Sequence, residues 1–223
     1  MANKILLTAA LVNVFVLASG VLILTTALVI RSQVNRPVTD GPSVLRNLIF
    51  VRLPLDAGIA NGVFILIASV FSLPGLLMQS TRGWLKLSGY MVTVCGLFTM
   101  CLGVYLWIMT LKIGEGFQSV YEELDSDMQS LIQMDFQCCG YVNSTTPAFV
   151  TDPVCPSPAA ASLLRGCQAA VSSFANGFLD KFFTAVFGVV GLDTVSILAT
   201  ACLSKDRKDK QWYRQLDRKG ASW

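Results

Sequence analysis

The sequence predicts an all-α membrane protein, with four transmembrane helices and a disulfide-linked, helical large extracellular loop. Three observations predict it. The 223 residues are 53% hydrophobic and only 14% charged, with a mean hydropathy of +0.59, whereas soluble domains carry about 25% charge. The apolar residues gather in four blocks, each long enough to cross a hydrocarbon core of about 30 Å. Four of the seven cysteines lie in one long segment between the third and fourth blocks. Composition also excludes several chemistries. With no histidine, Ser-His-Asp and Cys-His nucleophilic sites, His-ligated zinc and His proton relays are ruled out. A formal net charge of +3 is too small and too dispersed for a nucleic-acid footprint.

The first block, residues 5–30, follows a four-residue N-terminus and holds no charge. At 1.5 Å per residue it covers roughly 39 Å, enough to span with tilt. Ala18-Ser19-Gly20 imitates a signal-peptide cleavage site, but the apolar stretch continues ten residues beyond it, so the helix is read as retained. The second block is 55–78, the third 87–111 and the fourth 182–203. The connections are 31–54, a tight 79–86 and a long 112–181, with a basic tail at 204–223. An even number of spans puts both termini on one side. Ten basic residues lie there: Lys4, Arg82, Lys86 and seven in the tail. The positive-inside rule makes that side cytoplasmic. Arg31, Arg36, Arg46 and Arg52 in the first connection pull the other way, and the cysteines arbitrate.

Cys138, Cys139, Cys155 and Cys167 all lie in the long segment; Cys95, Cys101 and Cys202 lie in or beside apolar blocks. Four exported cysteines allow three connectivities. Adjacent Cys138 and Cys139 do not reach disulfide geometry with each other. Two pairings remain: Cys138–Cys167 with Cys139–Cys155, or the swap. A metal site lacks Cys-x-x-Cys spacing and histidine. Asn143-Ser144-Thr145 is a glycosylation acceptor in the same segment.

Ile113, Phe117, Val120, Tyr121, Leu124, Met128, Leu131, Ile132 and Phe136 recur at three- and four-residue intervals, one apolar face of a helix running on from the third span. Leu163, Leu164, Cys167, Val171, Phe174 and Phe178 mark a second helix entering the fourth. The two predict an antiparallel stalk, with the proline-rich stretch 141–158 as a loop tied down by disulfides. A segment of about 70 residues has too little core to hold such a loop unaided.

Inside the spans, Gly89, Gly96, Gly103 and Thr110 are spaced by sevens, as are Asn13, Gly20 and Ala27. Such seams let helices approach closely in a left-handed crossing. Asp193 sits near the middle of the fourth span. A carboxylate there costs about 2.5–3.5 kcal/mol on insertion scales, so it is expected to face the interior. Counting from the span ends places Asn13 and Asp193 at similar depth, roughly 12 and 15 Å. They are expected to share a polar pocket, as a hydrogen-bonded structural pair or as ligand contacts.

At Cys138-Cys139-Gly140 the whole arrangement resembles the tetraspanins. It combines four spans, a short first outer loop, a tight inner connection and a long second outer loop opening with Cys-Cys-Gly. The likeness covers Lys4 to Cys202. Cys138-Cys139-Gly140-Tyr141, Pro153-Val154-Cys155-Pro156 and 106–112 look most like the small tetraspanins of filamentous fungi, associated with polarised outgrowth and host penetration. The resemblance implies the pairing Cys138–Cys167 and Cys139–Cys155. It matches Asn13 to a first-span asparagine and Asp193 to a fourth-span polar residue, and it implies a sterol or other lipid between them. No cofactor is expected beyond such a lipid. Three features depart from the family: the third span lacks Glu or Gln, Pro-x-Ser-Cys is reduced to Pro153-Val154-Cys155, and the second span ends without cysteines. Cys202 and then Cys95 are the remaining palmitoylation acceptors, with Cys101 too deep.

The implied function is a non-enzymatic scaffold of the membrane, at the plasma membrane or an endomembrane. It would gather partner proteins laterally through its spans and outwardly through the long loop, as homo- or hetero-oligomers and with no nucleic acid. Phe149 and Val150 are candidate partner contacts or caps on the stalk. The tail, 205–219, is read as solvated, with its aspartates diluting any attraction to anionic lipid. The rival reading is a small transporter or channel using Asp193. Against it stand a lone intramembrane carboxylate, no basic partner in any span and no internal repeat.

Overall fold

The computed structural model describes residues 2–34, 36–77 and 82–220. Part of the expected tight connection, Gln79, Ser80 and Thr81, lies outside them. Among the described residues eight helices follow in order: α1 Ala2–Gln33, α2 Gly41–Arg52, α3 Leu55–Leu77, α4 Arg82–Leu111, α5 Ile113–Glu123, α6 Ser126–Phe136, α7 Pro158–Leu163 and α8 Gln168–Gly220. No strand occurs among the described residues, only two isolated bridges in 143–148. Among the described residues, four helices are long and apolar enough to cross a membrane: α1, α3, α4 and α8. Bilayer spanning takes about 20 residues, so the 53-residue α8 is far longer than its apolar stretch requires.

The chain divides into two compact units. One comprises Met1–Leu28, Asp56–Gly103 and Ala185–Trp223; the other comprises Val29–Leu55 and Val104–Thr184. The first is built from two antiparallel helix pairs whose registers follow the sevens. On α1 and α3, Asn13 meets Ser72, a Cβ on Gly20 would touch Ile65 at 2.9 Å, and Gly58 faces Ala27. On α4 and α8, Gly89 faces Thr200, Gly96 faces Asp193, and a Cβ on Gly103 would touch Phe187 at 2.9 Å. The first pair steps seven residues forward on α1 and seven back on α3, and the second steps seven forward on α4 and seven then six back on α8, each keeping one small-residue seam in contact over three layers. Val16, Ile65, Ala68, Val92, Cys95 and Val189 join both pairs in one buried cluster.

In the second unit, three differences from expectation have clear local causes. The connection 31–54 contains α2, which the four arginines obscured. Its start is fixed by Ser43, whose Oγ accepts from the Asp40 N–H at 3.2 Å, and by Asp135, whose carboxylate accepts from the Gly41 N–H at 2.5 Å. Its apolar side buries Val44, Leu45, Ile49 and Phe50. The long helix expected from 113 to 136 breaks at Leu124, which is extended, and Asp125, whose ψ of 147° is non-helical. Gln129 Nε2 holds the break by donating to Tyr121 O at 2.7 Å and Leu124 O at 3.1 Å. Finally, α8 begins only at Gln168. Leu163 and Leu164, expected on its apolar face, are exposed, and Leu163 is 87% accessible. The chain there is committed to backbone pairing instead, with Cys139 N–H donating to Arg165 O and Cys167 N–H to Gly140 O. The core of this unit includes Ile132, Val171, Ala175 and Leu179. Phe136 and Phe174 meet edge to face at 6.0 Å, and Phe50 lies 5.6 Å from Phe178.

Candidate functional site

The polar side chains inside the helix pairs form two networks. In the first, Asn13 Nδ2 donates to Ser69 O at 3.3 Å and Ser72 Oγ donates to Asn13 Oδ1 at 2.5 Å. In the second, Thr99 on α4 faces Asn61 Oδ1 at 3.1 Å and Cys95 O at 2.9 Å, and the Asp193 carboxyl approaches the same hydroxyl. Asn61 and Ser69 are eight residues apart on α3, about 12 Å along its axis. The expectation that Asn13 and Asp193 share one pocket is therefore corrected. Asn13 is spent on the serines of α3 because its helix register places it there, while Asp193 is opposite Gly96 and turns to Thr99. A three-residue polar network does exist without a Glu or Gln on the third span. Its members are Asn61, Thr99 and Asp193.

Asp193 is 1% accessible, and its Oδ2 is buried with no hydrogen-bond partner. Thr99 has one hydroxyl proton and three oxygens around it, so its hydroxyl cannot donate to all of them. Ser69 Oγ is the other buried side-chain atom without a partner among the described residues.

The second unit holds a polar knot of the opposite character. Gln133 on α6 is fully buried. Its Nε2 donates to Val150 O at 2.8 Å and to Asp152 Oδ2 at 2.6 Å. Its Oε1 accepts from Gly140 N–H and Val150 N–H, both at 3.2 Å, and from Tyr121 OH at 3.4 Å. Asp152 Oδ1 accepts from the N–H groups of Val154 and Cys155 at 2.8 and 2.6 Å. Around this knot the disulfides are Cys138–Cys167 and Cys139–Cys155, one of the two pairings that spacing allowed. Gly140 is needed between them, because it sits at φ +70° and a Cβ would meet Asn143 O at 2.1 Å. Phe149 and Val154 pack on the buried cysteines, and both backbone groups of Val150 are held by Gln133. Phe149 and Val150 are thus both anchored within the loop, each half-buried.

Burial raises the ionisation of Tyr121 to about 12, with the nearby Asp152 charge adding to it, and burial alone takes Tyr141 to about 12. Their rings lie 5.2 Å apart. Asn143 is exposed, and its Oδ1 accepts from Thr145 N–H and Oγ1 at 2.9 and 2.8 Å. Cys202 is exposed, whereas Cys95 is buried in the helix cluster, so an acyl chain on Cys95 would have to displace core side chains. Cys101, judged too deep, is exposed on the outside of the helices. In the tail, Arg207 turns inward and donates to Gly75 O at 2.6 Å and Leu76 O at 2.9 Å, satisfying carbonyls at the end of α3. Lys210 pairs with Asp206.

Sequence reasoning missed Asn61, Thr99, Gln133 and Asp152. Asn61 and Gln133 carried a signal, each being a strongly polar side chain amid apolar positions. Thr99 and Asp152 gave none of their network role, because the side chains they bond, Asn61 and Gln133, lie 38 and 19 residues away. The chain matches no known protein-family model, no curated protein and no solved structure.

Proposed function

We propose that this chain is a tetraspanin-like scaffold that gathers partner proteins and lipids into membrane domains. In this reading both termini are cytoplasmic, and 112–181 is an extracellular, glycosylated loop at the plasma membrane. Resemblance to the small fungal tetraspanins suggests a role in polarised growth or host penetration. The observation that carries the reading is the knot at 138–167. Two buried disulfides, a glycine that only glycine can replace and a saturated Gln133–Asp152 network fix a loop that presents Leu163, Leu164 and Val142 to solvent. Such cross-links persist in an oxidising compartment, and a rigid loop with exposed apolar residues is suited to recognition. Exposed Asn143 supports glycosylation, and exposed Cys202 supports acylation. The separate Asn13 and Asp193 networks leave room for lipid contacts at either one.

The test is isolation of the chain from its native membrane in mild detergent. A scaffold brings down stoichiometric membrane partners, and replacing 139–167 by a flexible linker removes them. If the chain comes down alone, and reconstituted vesicles instead show solute flux that Asp193→Asn abolishes, the transporter reading replaces this one.

A further inference from the structure

The orphan oxygen of Asp193 has a consequence independent of any scaffold role. Protonating the carboxyl does not resolve it. A proton on Oδ2 would find no acceptor, and a proton on Oδ1 would leave Oδ2 an acceptor with no donor, since Oδ2 has no partner within hydrogen-bond distance. Nor does the protein supply a counter-charge, because none of the four apolar blocks contains a lysine or arginine. Beside the carboxyl stands Thr99 Oγ1, and Asn61 Oδ1 and the Cys95 carbonyl lie within 3.1 Å of that hydroxyl. Together with the carboxyl these are hard oxygen donors from α3, α4 and α8. On the α4 side of the carboxyl is Gly96, where even a Cβ would stand 3.8 Å from Oδ2.

We propose that Asp193, Thr99, Asn61 and the Cys95 carbonyl form a buried site for one alkali-metal cation of the sodium class. One carboxylate and one monovalent ion make the site neutral, which the membrane interior favours. A divalent ion would leave net positive charge there. Oxygen donors without nitrogen or thiolate are the ligand set of hard cations rather than of zinc or copper. No three His, Cys, Asp or Glu side chains converge among the described residues. Asp193 supplies the charge, and the three neutral oxygens replace part of the ion's hydration shell. The ion would pin α8 to α4 and α3, strengthening the first unit.

The full chain in lipid nanodiscs tests this by thermal unfolding in NaCl, KCl and choline chloride at equal ionic strength. Sodium is expected to raise the midpoint saturably, with choline giving no such rise. Thr99→Val should shift the sodium titration roughly tenfold to higher concentration, about the worth of one polar contact, and Asp193→Asn should abolish it. Sodium-23 relaxation on the unaltered chain should show saturable excess broadening, which keeps the test decisive if Asp193→Asn does not fold. Equal midpoints in sodium and choline overturn the proposal. So does a sodium effect that survives Asp193→Asn, or a stabilisation that follows added sterol but not salt. Loss of partner capture leaves it untouched.

Discussion

The two units bury polar groups in opposite ways. Around Gln133 and Asp152 every carboxyl and amide atom meets a partner, and the surrounding loop is also cross-linked. Around Asp193 and Ser69 single atoms are left without one. The difference follows from what else holds each unit together. The second unit has a small core and an irregular loop, so it depends on saturated hydrogen bonds and covalent ties. The first is held by small-residue seams and apolar side chains, and it tolerates an unmet polar group. Saturated groups in this protein mark architecture, and the unmet carboxyl oxygen of Asp193 is where we place a ligand.

The comparison is broken most severely by opening the cross-links. Cys155→Ser frees the Cys139 partner and is expected to cost the second unit about 2–5 kcal/mol. Limited proteolysis should then cut within 139–167 while the helix pairs stay protected. If both units become labile together, they are not independent in stability. Next comes Gln133→Leu, which strands Asp152 Oδ2 and the backbone groups of Gly140 and Val150. A loss of at least about 2 kcal/mol is expected, read as faster cleavage of the same stretch. An unchanged cleavage rate would mean that the knot is incidental.

In the helix pairs the corresponding weak point is steric. A Cβ at Gly62 would lie 3.1 Å from the Leu24 backbone, so Gly62→Val should separate α1 from α3 at a cost of about 1–3 kcal/mol. Gly188, with nothing within 4 Å, should accept alanine with almost no loss. The thermal midpoints of the two variants should therefore diverge, and equal midpoints would contradict the seam.

The smallest effect is a titration. An unfolded tyrosine ionises near 10, while Tyr121 and Tyr141 hold their protons to about 12. Between those values the unfolded chain binds fewer protons, so the second unit's stability, complete below pH of about 10, falls as pH rises toward 12. Absorbance of tyrosinate should show a late phase near pH 12 that Tyr121→Phe and Tyr141→Phe each diminish. A titration that neither substitution alters at its late end would place these rings in solvent.

Much of the helix architecture was legible because lipid imposes simple demands. An apolar run of some twenty residues reads as a span, and sevens in Gly, Ala and Asn anticipated that both seams exist, though not which helix each one faces. Less visible was α2, whose apolar residues are interrupted by Arg46 and Arg52 and whose start depends on Asp135, far along the chain. The break at Leu124 was hidden because the apolar spacing continues across it from Tyr121 to Met128. The site was half visible. Asp193 stood out as a charge in an apolar run, but its neighbours are chosen by helix register. Equal depth suggested Asn13, whereas the facing directions of α3 and α4 deliver Asn61 and Thr99.

The most direct measurement of the account's central claim is a count of reactive thiols on the intact chain. Unfolded in denaturant without reductant and then alkylated, the protein should gain three adducts by mass, on Cys95, Cys101 and Cys202. After reduction it should gain seven. Seven adducts before reduction, or any adduct on Cys138 or Cys155, would contradict the cross-linked loop and the scaffold reading built on it.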